Sequence, residues 1–170
     1  MKRICLLSDT HGYLDEGIRK HVASCDEVWH AGDIGDAGIA DDLQAIRPLR
    51  AVYGNIDGAE LRRMFSGNLF FEIEGIKVWM THIGGYPGKY PARIANEIRN
   101  KRPDLFICGH SHILKVISDK ENSLLHMNPG AAGQHGFHFI RTLLLFSISN
   151  GKISDLSVVE LGKRGALPTI

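Results

Sequence analysis

The chain has 170 residues, 44% of them hydrophobic and 23% charged, so we expect a single ordinary globular domain over residues 1–170. The formal net charge of +1 gives no reason to expect a nucleic-acid surface or a membrane surface. Three cysteines without paired spacing, no apolar leader and no long apolar span make the cytoplasm the expected location.

The first part of the chain alternates between short apolar runs and stretches with helical spacing. The runs favour β-strands and cover residues 4–7, 28–29, 51–53, 78–80 and 105–108. Helices are predicted over residues 15–24, 37–46 and 92–100, the last two ending before a proline. Strands that alternate with helices indicate βαβ units and a parallel sheet.

The second part of the chain is richer in strands. Residues 69–73 and 77–80 flank Glu74-Gly75 as a predicted hairpin. Further strands are predicted around residue 116 and over residues 124–127, 142–148 and 153–159. Asn150-Gly151 separates the last two and is a strong hairpin turn signal. The simplest architecture is therefore one domain with two packed layers of strands.

Each of the five apolar runs is followed by polar side chains that can bind metals. These side chains are Asp9, His11, Asp33, Asn55, His82, His110 and His112. Ligands of open α/β sheets bind beyond the carboxyl ends of the strands, where loops from separate strands meet. Taken singly, each cluster is also typical of a turn. The repeated order of strand and then ligand predicts a metal site at one edge of a sheet.

The donor set indicates which ions the site prefers. Carboxylate oxygens, imidazole nitrogens and one amide oxygen, without thiolates, suit Mn²⁺, Fe²⁺, Zn²⁺ or Ni²⁺. One ion rarely needs so many protein ligands, whereas two ions that share a carboxylate would use them all. We expect two divalent transition-metal ions per chain, with Mn²⁺ preferred. A mononuclear metal sensor is the weaker alternative.

The ordered pattern Asp-x-His, Gly-Asp, Gly-Asn, His and Gly-His-x-His resembles the calcineurin-like metallophosphoesterases over nearly the whole chain. The compact length and Asn128-Pro129-Gly130 are most similar to small bacterial and archaeal phosphodiesterases that are related to a retromer subunit. The resemblance implies an α/β fold of the two-sheet αββα sandwich type. It also implies one metal held by Asp9, His11 and His112, a second held by Asn55, His82 and His110, and Asp33 bridging both.

Such a site predicts hydrolysis of a small phosphoester, preferably a phosphodiester, by a hydroxide that bridges two ions. Asp33, Asn55 and His82 are the predicted catalytic residues. Asn55 is also a predicted substrate contact, together with Arg141, for which an ion pair is the alternative. Tyr86 and Lys89, in the glycine-rich and proline-rich loop after His82, are further candidates for substrate contact.

The chain departs from the broader family after Gly-Asn, where Ile56 replaces a histidine that assists the leaving group. Isoleucine cannot donate a proton, so the leaving-group acid is unidentified. The next residue, Asp57, is interpreted either as an acceptor that orients Asn55 or a ligand histidine, or as a helix N-cap before Glu60.

The remaining candidates receive structural interpretations. His135 and His138 are read as loop residues rather than ligands, and His21, His30 and His126 are likewise given a structural role rather than a metal-binding one. A different class of function, a catalytically weak protein-interaction scaffold, is the alternative, because the related retromer subunit keeps this fold as an interaction platform. Phe137 and Phe139 are a candidate contact surface for a homo-oligomer.

Overall fold

A computed structural model of the chain describes residues 1–165. The strands of these residues are β1 Lys2–Leu7, β2 Glu27–His30, β3 Leu49–Ala51, β4 Asn68–Ile73, β5 Ile76–Thr81, β6 Leu105–Ile107, β7 Leu114–Asp119, β8 Leu124–Pro129, β9 Ile140–Ser149 and β10 Lys152–Lys163. The helices are α1 Glu16–Ala23, α2 Ala37–Ile46, α3 Ala59–Met64 and α4 Ala92–Lys101. No helix within residues 1–165 is long and apolar enough to cross a membrane.

The strands form two five-stranded sheets of mixed direction. The first sheet has the order β10-β9-β1-β2-β3, in which β1, β2 and β3 are parallel. The second has the order β4-β5-β6-β8-β7, in which β5, β6 and β8 are parallel. The carboxyl ends of parallel strands point the same way, so the loops that follow them gather at one edge.

Apolar side chains fill the space between the sheets and cover both outer faces. Trp29 and Phe146 of the first sheet pack in one fully buried cluster with Met80 of the second. Helices α1 and α2 bury Ile18, Val22, Ile39 and Leu43 on the outer face of the first sheet. Helix α4 buries Ile94 and Ile98 against Trp79 and Phe106 of the second sheet. The predicted αββα sandwich is therefore confirmed.

Local signals place most element boundaries within a few residues. Asp15 caps α1 by accepting a hydrogen bond from the backbone N–H of Ile18 at 2.9 Å. Asn150 and Gly151 have φ values of 49° and 71°, which is the left-handed backbone that a tight hairpin turn requires. That turn joins β9 to β10, as predicted, although β10 continues to Lys163 because it pairs with β9 across two irregularities.

Two elements differ from the sequence-based expectation. The strand expected over residues 51–53 lies at Leu49–Ala51, so Val52 and Tyr53 already belong to the loop that carries Asn55. Helix α3 was predicted only through the alternative that Asp57 caps a helix before Glu60, because its six residues are too short to show a periodic apolar stripe. It buries Leu61 only, so tertiary contacts rather than amphipathicity position it.

Candidate metal centre

The seven predicted ligand residues come together at one edge of the two sheets. They follow β1, β2, β3, β5 and β6, and the carboxylates and imidazoles form two groups. The first group consists of Asp9, His11 and His112, and the second consists of Asp33, His82 and His110. Within each group, the potential ligand atoms lie within 4.8 Å of one another. Oδ1 of Asn55 lies 2.9 Å from Nδ1 of His110, which adds the amide to the second group.

Asp9 is fully buried at the centre of the first group. Its Oδ2 accepts hydrogen bonds from the hydroxyl of Ser8 at 2.6 Å and from the backbone N–H of His110 at 3.1 Å. Its Oδ1 faces Nε2 of His112 at 3.1 Å and Nε2 of His11 at 3.8 Å. Burial opposes ionisation, but the nearby imidazoles of His11 and His112 lower the pKa of Asp9, so the carboxylate is charged at neutral pH.

Asp33 lies between the two groups. Its Oδ2 is 3.2 Å from Nε2 of His82 and 3.6 Å from Nε2 of His11, while its Oδ1 accepts a hydrogen bond from the backbone N–H of Ile56 at 3.1 Å. Burial opposes ionisation here too, but the nearby imidazole of His82 lowers the pKa of Asp33. One carboxylate oxygen therefore faces an imidazole from each group, which is the position that a bridging ligand requires.

The backbone carbonyl of Ala31 sets the orientation of His82. Nδ1 of the buried ring donates to that carbonyl at 2.8 Å, so Nε2 is the atom that points at Asp33 and Asp9. Such a hydrogen bond from the far ring nitrogen commonly orients metal-binding histidines. Burial lowers the pKa of His82, but the facing carboxylate of Asp33 outweighs this effect and raises it.

Several buried polar atoms of the cluster lack a partner. Within residues 1–165, Oδ1 of Asp9, Nε2 of His11 and Nε2 of His82 make no hydrogen bond. An unsatisfied buried polar atom destabilises a fold by about 1–3 kcal/mol. Cations at these positions would satisfy all three atoms, and the oxygen and nitrogen donors suit divalent transition metals. The residues present therefore fit a pair of such ions.

Most of the candidate ligands adopt a strained backbone. Asp9, His11, Asp33, His110 and His112 all have φ between 46° and 68°, the left-handed region that non-glycine residues rarely occupy. Hydrogen bonds between loops hold two of them there, from the N–H of Asp9 to Gly32 and from the N–H of His11 to Asp33, each at 3.0 Å. Strain of this kind persists only where the surrounding structure enforces it, and it concentrates at functional sites.

Asp57 joins two ligand loops through backbone hydrogen bonds. Its carboxylate accepts from the N–H groups of Ile34 at 3.1 Å, Gly35 at 2.8 Å and Gly54 at 2.8 Å. It does not cap α3, whose N-cap position is Gly58 and has no side-chain cap. Two of these N–H groups directly follow Asp33 and the third directly precedes Asn55. Asp57 therefore orients the Asn55 loop, but it contacts no candidate ligand histidine.

Arg141 is not placed to contact a substrate at this cluster. Its buried guanidinium pairs with Asp15 at 2.9 Å, donates to the carbonyl of Ala132 at 2.8 Å and lies 4.8 Å from the ring centre of Tyr13. A cavity opens beside the candidate metal ligands, and Arg141 is not among the residues that line this cavity. The expected phosphate contact is therefore not supported, because the structure commits these donors to the ion pair and to backbone carbonyls.

A cavity of about 490 Å³ opens beside the cluster, and His11, Asp33, Asn55, His110 and His112 line it. Its wall also includes Ile56 and the segment of residues 135–138. The ring centre of His135 lies 4.8 Å from that of His11, and the ring centre of His138 lies 5.2 Å from that of His112. Sequence reasoning treated both histidines as loop residues, and no spacing signal ties this distant loop to the ligands.

The loop after His82 packs away from this cavity. The ring of Tyr86 lies 5.9 Å from that of His126, with Nζ of Lys115 4.3 Å from its centre. Neither Tyr86 nor Lys89 is among the residues that line the cavity.

Ile56 occupies the position at which the broader family has a histidine that assists the leaving group, and its side chain is exposed there.

Known proteins are similar to this chain in sequence. A family profile described as calcineurin-like phosphoesterase superfamily domain matches residues 1–151. A probable metallophosphoesterase of Methanocaldococcus jannaschii is 31% identical over 134 residues, covering 75% of this chain and 67% of that protein.

Solved structures share the fold at lower identity. Vps29 from Entamoeba histolytica superposes with a TM-score of 0.73 at 16% identity, covering 94% of this chain and 99% of that one. An archaeal phosphodiesterase superposes with a TM-score of 0.67 at 22% identity, covering 92% and 99%. The resemblance seen in the sequence is confirmed, and the chain belongs to the calcineurin-like phosphoesterase superfamily.

Proposed function

We propose that this protein is a binuclear metal-dependent phosphoesterase that hydrolyses phosphodiesters by direct attack of a hydroxide derived from water, without a covalent enzyme intermediate. The observation that carries the proposal is the position of Asp33. Its Oδ2 faces His11 of one ligand group and His82 of the other, at 3.6 Å and 3.2 Å. A shared carboxylate between two ligand groups is the arrangement that two-metal hydrolases use.

Each ligand has a distinct task in this proposal. Asp9, His11 and His112 would hold one ion, Asn55, His82 and His110 would hold the other, and Asp33 would contact both. When bound, such ions would polarise phosphoryl oxygens and would lower the pKa of the attacking water from about 15.7 toward about 7. The oxygen and nitrogen donors are compatible with Mn²⁺, which is our proposed native ion, and with Ni²⁺, Fe²⁺ or Zn²⁺.

Side chains near the site are poor candidates for a covalent nucleophile. Burial raises the pKa of the Cys108 thiol to about 12, so it is not a thiolate at neutral pH. Ser111 lines the cavity, but its Oγ accepts hydrogen bonds from the side chain of Asn128 at 3.1 Å and from the N–H of Ile113 at 3.2 Å. Water is therefore the nucleophile that we propose.

We infer that the site prefers a diester over a monoester. Within residues 1–165, Asp33 is the only carboxylate that lines the cavity of about 490 Å³, and no lysine or arginine lines it, whereas Arg62 and Arg93 line a neighbouring cavity together with Asn55 and His82. Apart from the bound ions, the extra negative charge of a monoester dianion would therefore meet no cationic side chain in the first cavity. The archaeal structural neighbour, described as a phosphodiesterase, agrees with this preference.

The test begins with metal-stripped protein reloaded with Mn²⁺, Ni²⁺, Zn²⁺ or Mg²⁺ in turn. We expect hydrolysis of bis(4-nitrophenyl) phosphate only after reloading, at a higher kcat/KM than for 4-nitrophenyl phosphate. Elemental analysis should find two ions per chain. A single ion per chain would contradict the binuclear site, and faster hydrolysis of the monoester would contradict the diester preference.

A protein-interaction scaffold is the second candidate. The observations that favour it are the structural likeness to Vps29 and the exposure of Phe137 and Phe139, at 98% and 85%. Against it, all seven positions of the ligand pattern carry a residue that can bind a metal. If the protein binds two ions per chain but hydrolyses no substrate with any ion, the result would support the scaffold function instead.

A further inference from the structure

Three large apolar side chains stand exposed around the mouth of the metal-centre cavity. Ile56 is 48% exposed, Ile113 is 54% exposed and Phe137 is 98% exposed, and all three line the cavity. Ile56 directly follows Asn55, and Ile113 directly follows His112, so the chain fixes both next to candidate ligands. Burying any of these side chains under a bound molecule would stabilise the complex, because apolar surface is removed from water.

The loop that carries Phe137 is held against the ligands on both sides. A side chain at Gly136, which has a φ of 127°, would collide with the ring of His112. The ring of His138 donates from Nε2 to the carbonyl of Gly133 at 2.9 Å and meets the ring of His112 edge-on. With its neighbours fixed in this way, Phe137 is presented at the rim of the cavity.

The chemistry of this wall selects for an uncharged, flat group. Beside the imidazoles and Asp33, the wall offers the apolar surfaces of Ile56, Ile113 and Phe137. Aromatic rings bind such surfaces by stacking and by burying apolar area. A volume of about 490 Å³ is within the usual range for a small organic ligand.

The geometry points to a subsite for an aryl or nucleobase group that is esterified to the phosphate, formed by Ile56, Ile113 and Phe137 beside the metal centre. This inference rests on the proposed phosphoesterase function and names the substrate class as phosphodiesters that carry such a group. It also gives Ile56 a role, since a side chain that cannot move a proton can still pack against a ring.

Phe139 provides the matched control. It belongs to the same loop and is 85% exposed, but it lines a different cavity, together with Ile140 and Arg164. Substituting it removes a similar apolar surface without touching the metal-centre cavity. If these phenylalanines instead served self-association, Phe137→Ala and Phe139→Ala would alter the oligomeric state alike.

The first experiment measures, by calorimetry, binding to the metal-loaded protein of two methyl phosphonates, in which the P–C bond resists hydrolysis and methoxide is a poor leaving group. Methyl phenylphosphonate should bind about tenfold more tightly than methyl methylphosphonate, and Phe137→Ala should abolish that preference while Phe139→Ala retains it. Equal affinity of the wild-type protein for both phosphonates would overturn the subsite. So would an equal loss of preference in the two variants, accompanied by dissociation of an oligomer in light scattering.

The second experiment separates the subsite from the catalytic proposal. For bis(4-nitrophenyl) phosphate, Phe137→Ala should raise KM about tenfold with little change in kcat, because it removes binding and leaves the ligands intact. An unchanged KM would overturn the subsite. Phenyl preference in binding without any hydrolysis would overturn the phosphoesterase proposal and leave the subsite standing. Failure of both phosphonates to bind would overturn both.

Discussion

Nε2 of His30 lies 2.9 Å from Oγ1 of Thr10 in the fully buried interior. Nδ1 of the same ring accepts a hydrogen bond from the N–H of Gly32 at 3.1 Å, so Nε2 carries the proton and donates it to the threonine. Thr10 in turn donates to the carbonyl of Ile34 at 3.0 Å. This network connects the residue between Asp9 and His11 to the residues on either side of Asp33.

Replacing His30 with leucine should therefore loosen two ligand loops at once. We expect a loss of about 2–4 kcal/mol in the free energy of unfolding, because the polar partners of the ring stay buried without it. Metal affinity should fall about 10–100-fold. Chemical denaturation and metal titration measure the two effects, with His21→Leu on α1 as the control. Unchanged metal affinity in His30→Leu would contradict the connection between the loops.

The same histidine predicts a pH dependence of stability. Burial lowers the pKa of His30 to about 4, from an unfolded value of about 6.5. Between these values the unfolded chain takes up a proton that the folded protein excludes, so stability should fall as the pH falls from 6.5 to 4. The loss reaches roughly 3 kcal/mol, since one pKa unit corresponds to about 1.4 kcal/mol.

The measurement compares urea unfolding of metal-free wild type and His30→Leu across this pH range. Burial also lowers the pKa of His126 to about 4, whereas the pKa of His82 is raised by Asp33 despite its burial. Both groups remain in the variant, so the difference between the two proteins isolates His30. The variant should lose less stability on acidification, and parallel curves would show that His30 is not the group responsible.

Asp57→Asn should weaken the centre without removing a ligand. The carboxylate accepts three backbone N–H groups, and an asparagine offers one acceptor oxygen, so at least one N–H loses its partner. We expect a loss of about 1–3 kcal/mol in the free energy of unfolding and a lower metal affinity. Asp41→Asn, at an exposed position of α2, is the matched control for charge removal. Equal behaviour of the two variants would refute the role of Asp57.

Asp33→Asn tests the bridging position directly. An amide cannot replace a carboxylate between two cations, so one ion should be lost and kcat/KM should fall by at least about 100-fold. Elemental analysis and hydrolysis of bis(4-nitrophenyl) phosphate measure both outcomes, again beside Asp41→Asn. Undiminished metal-dependent hydrolysis would remove the basis for a shared carboxylate.

Ile56→His tests the missing proton donor. The wild-type rate should fall steeply as the leaving group becomes more basic, because no acid stands at this position. General acid catalysis accelerates such reactions by about 10²–10⁴-fold. The variant should therefore gain most on poor leaving groups and show a flatter dependence, while Ile56→Leu should keep the steep one. A flat dependence in the wild-type protein would reveal a proton donor elsewhere.

The sequence predicted that the seven candidate ligands come together, because each follows a strand and the ends of parallel strands fix where their loops meet. The role of Asp57 was predicted only as one of two alternatives, because its partners are backbone N–H groups, which leave no trace in the residue pattern. The contacts of His30 and His135 could not be predicted for a related reason. His30 contacts Thr10 in the loop after the neighbouring strand β1, and such a contact depends on strand pairing and loop conformation, about which the periodicity of a strand contains no information.

The left-handed backbone at the ligands also has a consequence for evolution. Each non-glycine residue in this region carries an unfavourable energy of about 1–2 kcal/mol, and Asp9, His11, Asp33, His110 and His112 all do so. A glycine at any of them would relax the chain and abolish a ligand. Selection for stability and selection for metal binding therefore favour different residues at these five positions. In relatives that no longer need to bind metals, we expect glycine to replace some of these residues.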